Sequence, residues 1–133
     1  MSEFLLYEQS GGVVTLTMNR PDERNALTDE AQFQEFVDVC EKIDRDTSVR
    51  AVILTGAGKS FCAGGNVKQM RERARAGEKD PFAVRQRYKY GVQRIPLAVY
   101  ELEVPTLAAI NARKAKIRIT RPMARPAWGR SDM

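Results

Sequence analysis

The sequence predicts an α/β protein built from stacked ββα units. Two strand-like apolar runs, residues 4–9 and 13–18, are separated by a Ser-Gly-Gly segment, which is typical of an antiparallel hairpin. A helix with a single apolar stripe follows them. Residues 51–54 are then apolar at every position, which predicts a strand that is covered on both faces. The order strand, strand, helix, strand, glycine loop, helix therefore indicates a repeated ββα arrangement.

The first helix is predicted from its apolar periodicity. Thr28 is the expected N-cap, and Asp29 and Glu30 suit the first turn of a helix. Apolar residues recur at i, i+3, i+4, i+7 and i+10, which marks one buried stripe ending near residue 44. These residues are Phe33, Phe36, Val37, Cys40 and Ile43.

The glycine loop after the third strand, residues 59–70, is the main candidate for chemistry. Gly64 and Gly65 precede a polar, helix-forming segment at residues 68–76. The first N–H groups of a helix lack intrahelical partners and lie at the positive end of its dipole. Glycines allow a ligand to approach the backbone closely, so we expect this loop to hold an oxygen that carries negative charge.

Beyond the loop, the sequence predicts further helices and one more strand. A helix is expected from Pro81, ending before Pro96, and residues 99–102 form a second short helix. The inner side of the helix that starts at Pro81 would carry Phe82, Tyr88, Val92 and Ile95. Residues 106–110 are predicted to form the last strand.

Composition excludes several classes of function. The 133 residues fit one globular domain, with 43% apolar and 29% charged residues. The chain has no histidine and only two cysteines, which excludes a His/Cys zinc site, a Ser-His-Asp triad and a disulfide framework, so no metal is expected. No apolar run is long enough to span a bilayer and the N-terminus lacks a basic signal start, so we expect no membrane partner and a cytoplasmic location.

The positive charge is concentrated at the C-terminus. The chain has a net charge of +5, yet residues 113–133 contain seven Lys or Arg and a single acidic residue, Asp132. Residues 112–133 are predicted to be a disordered basic tail because proline and glycine interrupt them and no periodicity is visible. Nucleic-acid binding by this tail is an alternative function, although one aromatic residue and no known module argue against specific recognition.

Four segments carry a family resemblance. Phe61-Cys62-Ala63-Gly64-Gly65-Asn66-Val67 resembles the F-C/A-A-G-x-D-[VIL] signature of the enoyl-CoA hydratase/isomerase (crotonase) superfamily. Residues 16–21, 24–27 and 104–111 are similar to other family segments and occur in the family order. The resemblance covers about residues 1–111 and implies a crotonase-type fold of stacked ββα units, truncated relative to the family and followed by a divergent or replaced tail.

The resemblance also implies a substrate and a site. Gly65 corresponds to the first of two backbone N–H donors that stabilise the oxyanion of an acyl-CoA thioester. An acyl-CoA cleft would lie between residues 24–27 and 63–68, and Asn66 stands where the family usually has Asp. The substrate-binding residues implied are Arg24, Ala26, Leu27, Ala63, Gly65, Asn66, Val67 and Lys68. Coenzyme A would be part of the substrate, with no separate cofactor, and family members assemble as trimer-based homo-oligomers.

The resemblance stops after Asn111. The family continues with N-G-x-x-x-G-G-G, which supplies the second oxyanion donor, whereas residues 112–117 contain no glycine and place Ile117 at that position. No acidic residue occurs between Glu103 and Asp132 to act as the family's acid or base. Two hypotheses follow: hydration of a 2-enoyl-CoA, or a catalytically silent fragment that binds acyl-CoA.

Overall fold

A computed structural model of the chain describes residues 4–77 and 80–111. Four strands and four helices form in this part, with a short 3₁₀ turn at Pro21–Glu23. In chain order they are β1 (Leu5–Ser10), β2 (Val13–Met18), α1 (Glu30–Arg45), β3 (Ala51–Gly56), α2 (Val67–Arg75), α3 (Pro81–Tyr90), α4 (Arg94–Glu101) and β4 (Thr106–Ala108). None of the described helices combines the length and apolarity required to cross a membrane. The predictions for residues 112–133, including Ile117, lie outside the described residues.

The strands form one sheet in the order β1-β2-β3-β4. β1 and β2 pair antiparallel, which confirms the predicted hairpin, whereas β3 runs parallel to both β2 and β4. In the β2–β3 register Met18 lies opposite Gly56, so both strands end at the same edge of the sheet. The loops that follow β2 and β3 therefore leave the sheet side by side.

One face of the sheet packs against α1. Val14, Leu16 and Met18 alternate inward and are buried, as their spacing predicts. The helix contributes its stripe, of which Phe36, Cys40 and Ile43 are buried, and the expected members Phe33 and Val37 are half-buried. Two neighbouring apolar clusters result, one around Phe36 and one around Ile43.

The prediction that β3 is covered on both faces is not met within the described residues. Val52 is buried, but Ile53, on the opposite face, is half-buried. Its partner Leu107 is 38% exposed, and Val13 on the same face is 37% exposed. Since the alternation of a strand sends neighbouring side chains to opposite faces, a run of apolar residues cannot reveal which face is covered.

The helices also correct two sequence-based details. Asp29, not Thr28, is the N-cap of α1: Asp29 accepts a hydrogen bond from the Gln32 N–H, and the Gln32 side chain accepts from the Asp29 N–H. This capping box is the stronger arrangement because it satisfies two unpaired donors at once. Pro96 does not end a helix but lies in the first turn of α4, where the missing N–H has no intrahelical role.

The inner face predicted after Pro81 was wrong for two of its four residues. Phe82 is 63% exposed and Tyr88 is 41% exposed, whereas Ile95 is buried. Residues 91–93 separate α3 from α4, so one helical period does not extend from Phe82 to Ile95. A pattern that crosses a helix break loses its meaning because the second helix has its own axis.

Candidate functional site

Two loops meet at the edge of the sheet where β2 and β3 end. The Ala63 N–H donates to the Arg24 carbonyl over 2.9 Å, and the Leu27 N–H donates to the Gly64 carbonyl over 2.9 Å. Leu27 and Gly65 form an isolated parallel β-bridge. The structure thus brings together residues 24–27 and 63–68, the two segments between which the resemblance implies an acyl-CoA cleft.

Two successive glycines shape this loop, and the backbone conformation requires glycine at the first of them. Gly64 has a φ of +77°, in the left-handed region that side-chain-bearing residues rarely adopt. At Gly65 an added Cβ would lie 2.6 Å from the Met70 Cε. Within the described residues the Gly65 N–H donates to no protein acceptor. Gly65 therefore offers a backbone donor beside the start of α2.

The helix that starts after Gly65 is capped by Asn66. Its side-chain oxygen accepts a hydrogen bond of 3.1 Å from the Gln69 N–H, so the amide satisfies one of the unpaired donors of α2. Asn66, Gln69, Met70 and Arg73 follow at helical spacing along one side of α2. An amide at this position caps the helix as a carboxylate would, but without a charge.

Asn25 holds the two loops together, a role that the sequence analysis missed. Its side chain is fully buried, donates to the carbonyls of Ala57 (3.0 Å) and Ser60 (2.8 Å), and accepts from the Arg20 N–H (2.8 Å). Its φ of 55° is in the left-handed region, which asparagine tolerates better than most residues. Asparagine in a polar loop is common, so no pattern in the sequence separates this one from a solvated turn residue.

Two further side-chain amides brace the same region. Gln32 is buried, and its Nε2 donates to the Ala26 carbonyl over 3.2 Å while its Oε1 accepts from the Thr28 N–H. Asn111, just after β4, donates to the Gly58 carbonyl over 2.9 Å and also to the Gly56 carbonyl. Side-chain amides paired in this way restrict the backbone, because leaving a shielded partner without a hydrogen bond costs free energy.

A cleft of about 290 Å³ opens beside Gly65, between the start of α1, α2 and α3. Of the predicted site residues, Leu27, Gly65 and Asn66 line this cleft, and Arg24, Ala26, Ala63, Val67 and Lys68 do not. Contributions from α1, from α3 and from the segment after α3 were not predicted from the sequence. These include Glu30, Phe33, Arg87, Tyr88 and Val92.

The charges around the cleft are mostly positive. Glu30, the only carboxylate among the described lining residues, lies 2.7 Å from the Arg94 guanidinium and is 65% exposed. Arg73 and Arg87 also line the cleft. Arg24 is exposed on the neighbouring loop, and no carboxylate within the described residues forms an ion pair with it. The surroundings therefore favour an anionic ligand.

Cys62 lies in the same loop but is engaged in local structure. Its sulfur accepts a hydrogen bond of 3.3 Å from the Gly64 N–H. This contact fits a packed side chain that supports the loop, the interpretation that the lack of histidine favours. No group of three or more metal-ligating side chains occurs within residues 4–77 and 80–111.

Comparisons with known proteins show the family of this chain. The sequence profile of the Enoyl-CoA hydratase/isomerase family matches residues 8–115. The chain is 44% identical over 64 residues to 1,2-epoxyphenylacetyl-CoA isomerase of Escherichia coli, covering 48% of this chain and 24% of that protein. It is 37% identical over 108 residues to enoyl-CoA hydratase EchA19 of Mycobacterium tuberculosis, covering 80% of this chain and 38% of the relative.

A solved structure extends the similarity to the fold. The crystal structure of an enoyl-CoA hydratase from Bacillus anthracis superposes with a TM-score of 0.67 at 30% identity, covering 83% of this chain and 40% of that one. The chain thus spans less than half the length of each of these three proteins.

Proposed function

Because this chain belongs to the enoyl-CoA hydratase/isomerase family, we propose that it binds a 2-enoyl-CoA thioester, with hydration of the double bond as the reaction. The thioester carbonyl would sit at the glycine loop, with its oxygen accepting from the Gly65 N–H. The acyl group would enter the cleft between α1, α2 and α3. Coenzyme A would arrive as part of the substrate, without a separate cofactor.

The observation that carries this proposal is the open donor at Gly65. The N–H has no protein acceptor within the described residues, it borders the cleft, and it lies beside the N-terminus of α2. A preorganised donor of this kind stabilises the negative charge that develops on a thioester oxygen. Removal of one such donor typically lowers the rate by about 10²- to 10³-fold.

The coenzyme A portion would lie over residues 24–27. The Arg24 guanidinium is exposed and suits a phosphate group, for which arginine provides paired donors. The Ala26 carbonyl is held in place by the buried Gln32 amide, and its second lone pair stays available to a donor on the ligand. These two groups would provide contacts to a phosphate and to a ligand donor on the same short segment.

A second candidate function is binding of acyl-CoA without turnover. Hydration requires a side chain that transfers a proton, and such a group typically accelerates the reaction by about 10²- to 10⁴-fold. The only carboxylate among the described residues that line the cleft is Glu30, which is paired with Arg94. This pairing favours the binding-only alternative for the described residues.

Calorimetric titration of the full chain with crotonyl-CoA, followed in parallel by the loss of enoyl thioester absorbance, separates the two candidates. Binding with turnover supports hydration, and binding alone supports the acyl-CoA binder. Gly65→Pro removes the donor and should abolish binding or turnover. Gly65→Ala is the matched control, because it keeps the N–H and its Cβ meets only the flexible end of Met70. Absence of any binding by the folded chain would refute both candidates.

A further inference from the structure

The side of α2 that faces the cleft ends in a cation. Asn66, Gln69, Met70 and Arg73 all line the cleft, at spacings of three and four residues. Along a helix the seven positions from Asn66 to Arg73 span about 10 Å. Helical side chains lean back towards the N-terminus, so the Arg73 guanidinium is carried towards Gly65 rather than away from it.

We propose that this cleft selects acyl-CoA substrates whose acyl chain ends in a carboxylate, and that Arg73 recognises the carboxylate. The proposal rests on the function proposed above and adds the chemical class of the acyl group. With the thioester at Gly65, an extended chain of six carbons has five C–C bonds and covers about 6 Å, because each bond of about 1.5 Å advances the zigzag chain by only about 1.25 Å. Such a chain places its terminal carboxylate within reach of the Arg73 guanidinium, because the Arg73 backbone lies about 10 Å along the helix from Asn66.

The charges that face the cleft are consistent with an anionic acyl terminus. The Arg73 guanidinium forms no ion pair or side-chain hydrogen bond with another described residue. Glu30, which would repel a carboxylate, is neutralised by Arg94 at 2.7 Å. An incoming carboxylate thus meets net positive charge, and arginine holds carboxylates through paired hydrogen bonds.

The same helix offers a matched control. Arg71 stands two positions before Arg73, which places it roughly 160° around the helix axis. Arg71 does not line the cleft. Arg73→Gln and Arg71→Gln therefore remove the same charge from the same helix, but only the first removes a donor from the cleft.

The test measures dissociation constants of two acyl-CoA esters with the same number of acyl carbons. One is 2-hexenoyl-CoA, and the other is the 2-hexenedioyl monothioester, which carries a terminal carboxylate. Because Arg73 is exposed, we expect Arg73→Gln to weaken binding of the carboxylate ester by about 3- to 5-fold at low salt. Binding of 2-hexenoyl-CoA should be unchanged, and Arg71→Gln should affect neither ester.

Each outcome decides between the proposals. Equal effects of the two substitutions, or equal effects on the two esters, would overturn the role of Arg73 because they indicate only general attraction by a basic surface. Tight binding of 2-hexenoyl-CoA with no preference for the carboxylate ester in the unaltered chain would also overturn it, while leaving acyl-CoA binding intact. If neither ester binds, acyl-CoA binding itself fails.

Discussion

Replacement of Asn25 by Ala tests whether one buried amide holds the two site loops together. The substitution removes the hydrogen bonds to Arg20, Ala57 and Ser60. At about 1 kcal/mol each they contribute about 3 kcal/mol. Placing Ala at a φ of 55° costs about 1 kcal/mol more. We therefore expect a loss of about 4 kcal/mol in the free energy of unfolding.

The assay is equilibrium unfolding in urea followed by circular dichroism. Asn25→Gly serves as the control, since it removes the same hydrogen bonds but tolerates the left-handed backbone, and should cost about 3 kcal/mol. The loops should also separate, so any acyl-CoA binding that survives should weaken in both variants. A loss below about 1 kcal/mol for Asn25→Ala would refute the reasoning, because it would mean that other contacts position the loops.

Two further predictions concern α1. Asp29→Ala breaks the capping box and should lower the free energy of unfolding by about 1 kcal/mol. Glu41→Ala, on an exposed turn of the same helix, is the control and should change the free energy of unfolding by less than about 0.5 kcal/mol. A similar loss of stability for both variants in thermal melts would contradict the capping role. Burial, with a smaller contribution from the Asp44 charge, raises the pKa of the Cys40 thiol from 9.0 to about 11. As the pH rises, the Cys40 thiol should therefore ionise in the unfolded state before it ionises in the folded state. The contribution of the neutral thiol to the free energy of unfolding is fully present below pH 9 and should be lost as the pH rises from 9 to 11. A thiol reagent at pH 8 should label Cys62→Ser protein only after unfolding, and rapid labelling of the folded variant would show that Cys40 is accessible.

Local patterns in the sequence determined much of this fold. The alternation of residues 13–18 and the stripe through Phe36, Cys40 and Ile43 specify which sides are buried, because periods of 2 and 3.6 follow directly from backbone geometry. The pair Gly64-Gly65 before a helical segment identified the loop that borders the cleft. These features depend on neighbours in the chain, so the sequence alone predicts them.

The composition of the cleft depended on tertiary structure. Glu30 of α1, Arg73 of α2 and Tyr88 of α3 meet there only because the helices pack around the sheet edge. Tyr88 was assigned to an inner face by a period that ran through the break at residues 91–93. Helix axes are set by packing between distant segments, which a local pattern does not contain.

The sequence by itself therefore determined the α/β class, the hairpin, the buried stripe of α1 and the position of the glycine loop. Only the tertiary structure decided that Asn25 joins that loop to the one after β2, and that Arg73 borders the cleft. The physical reason is that parallel pairing of β2 with β3 brings residues more than 30 positions apart to one edge of the sheet. Hydrogen bonds across that edge then select among loop conformations that the local sequence permits equally.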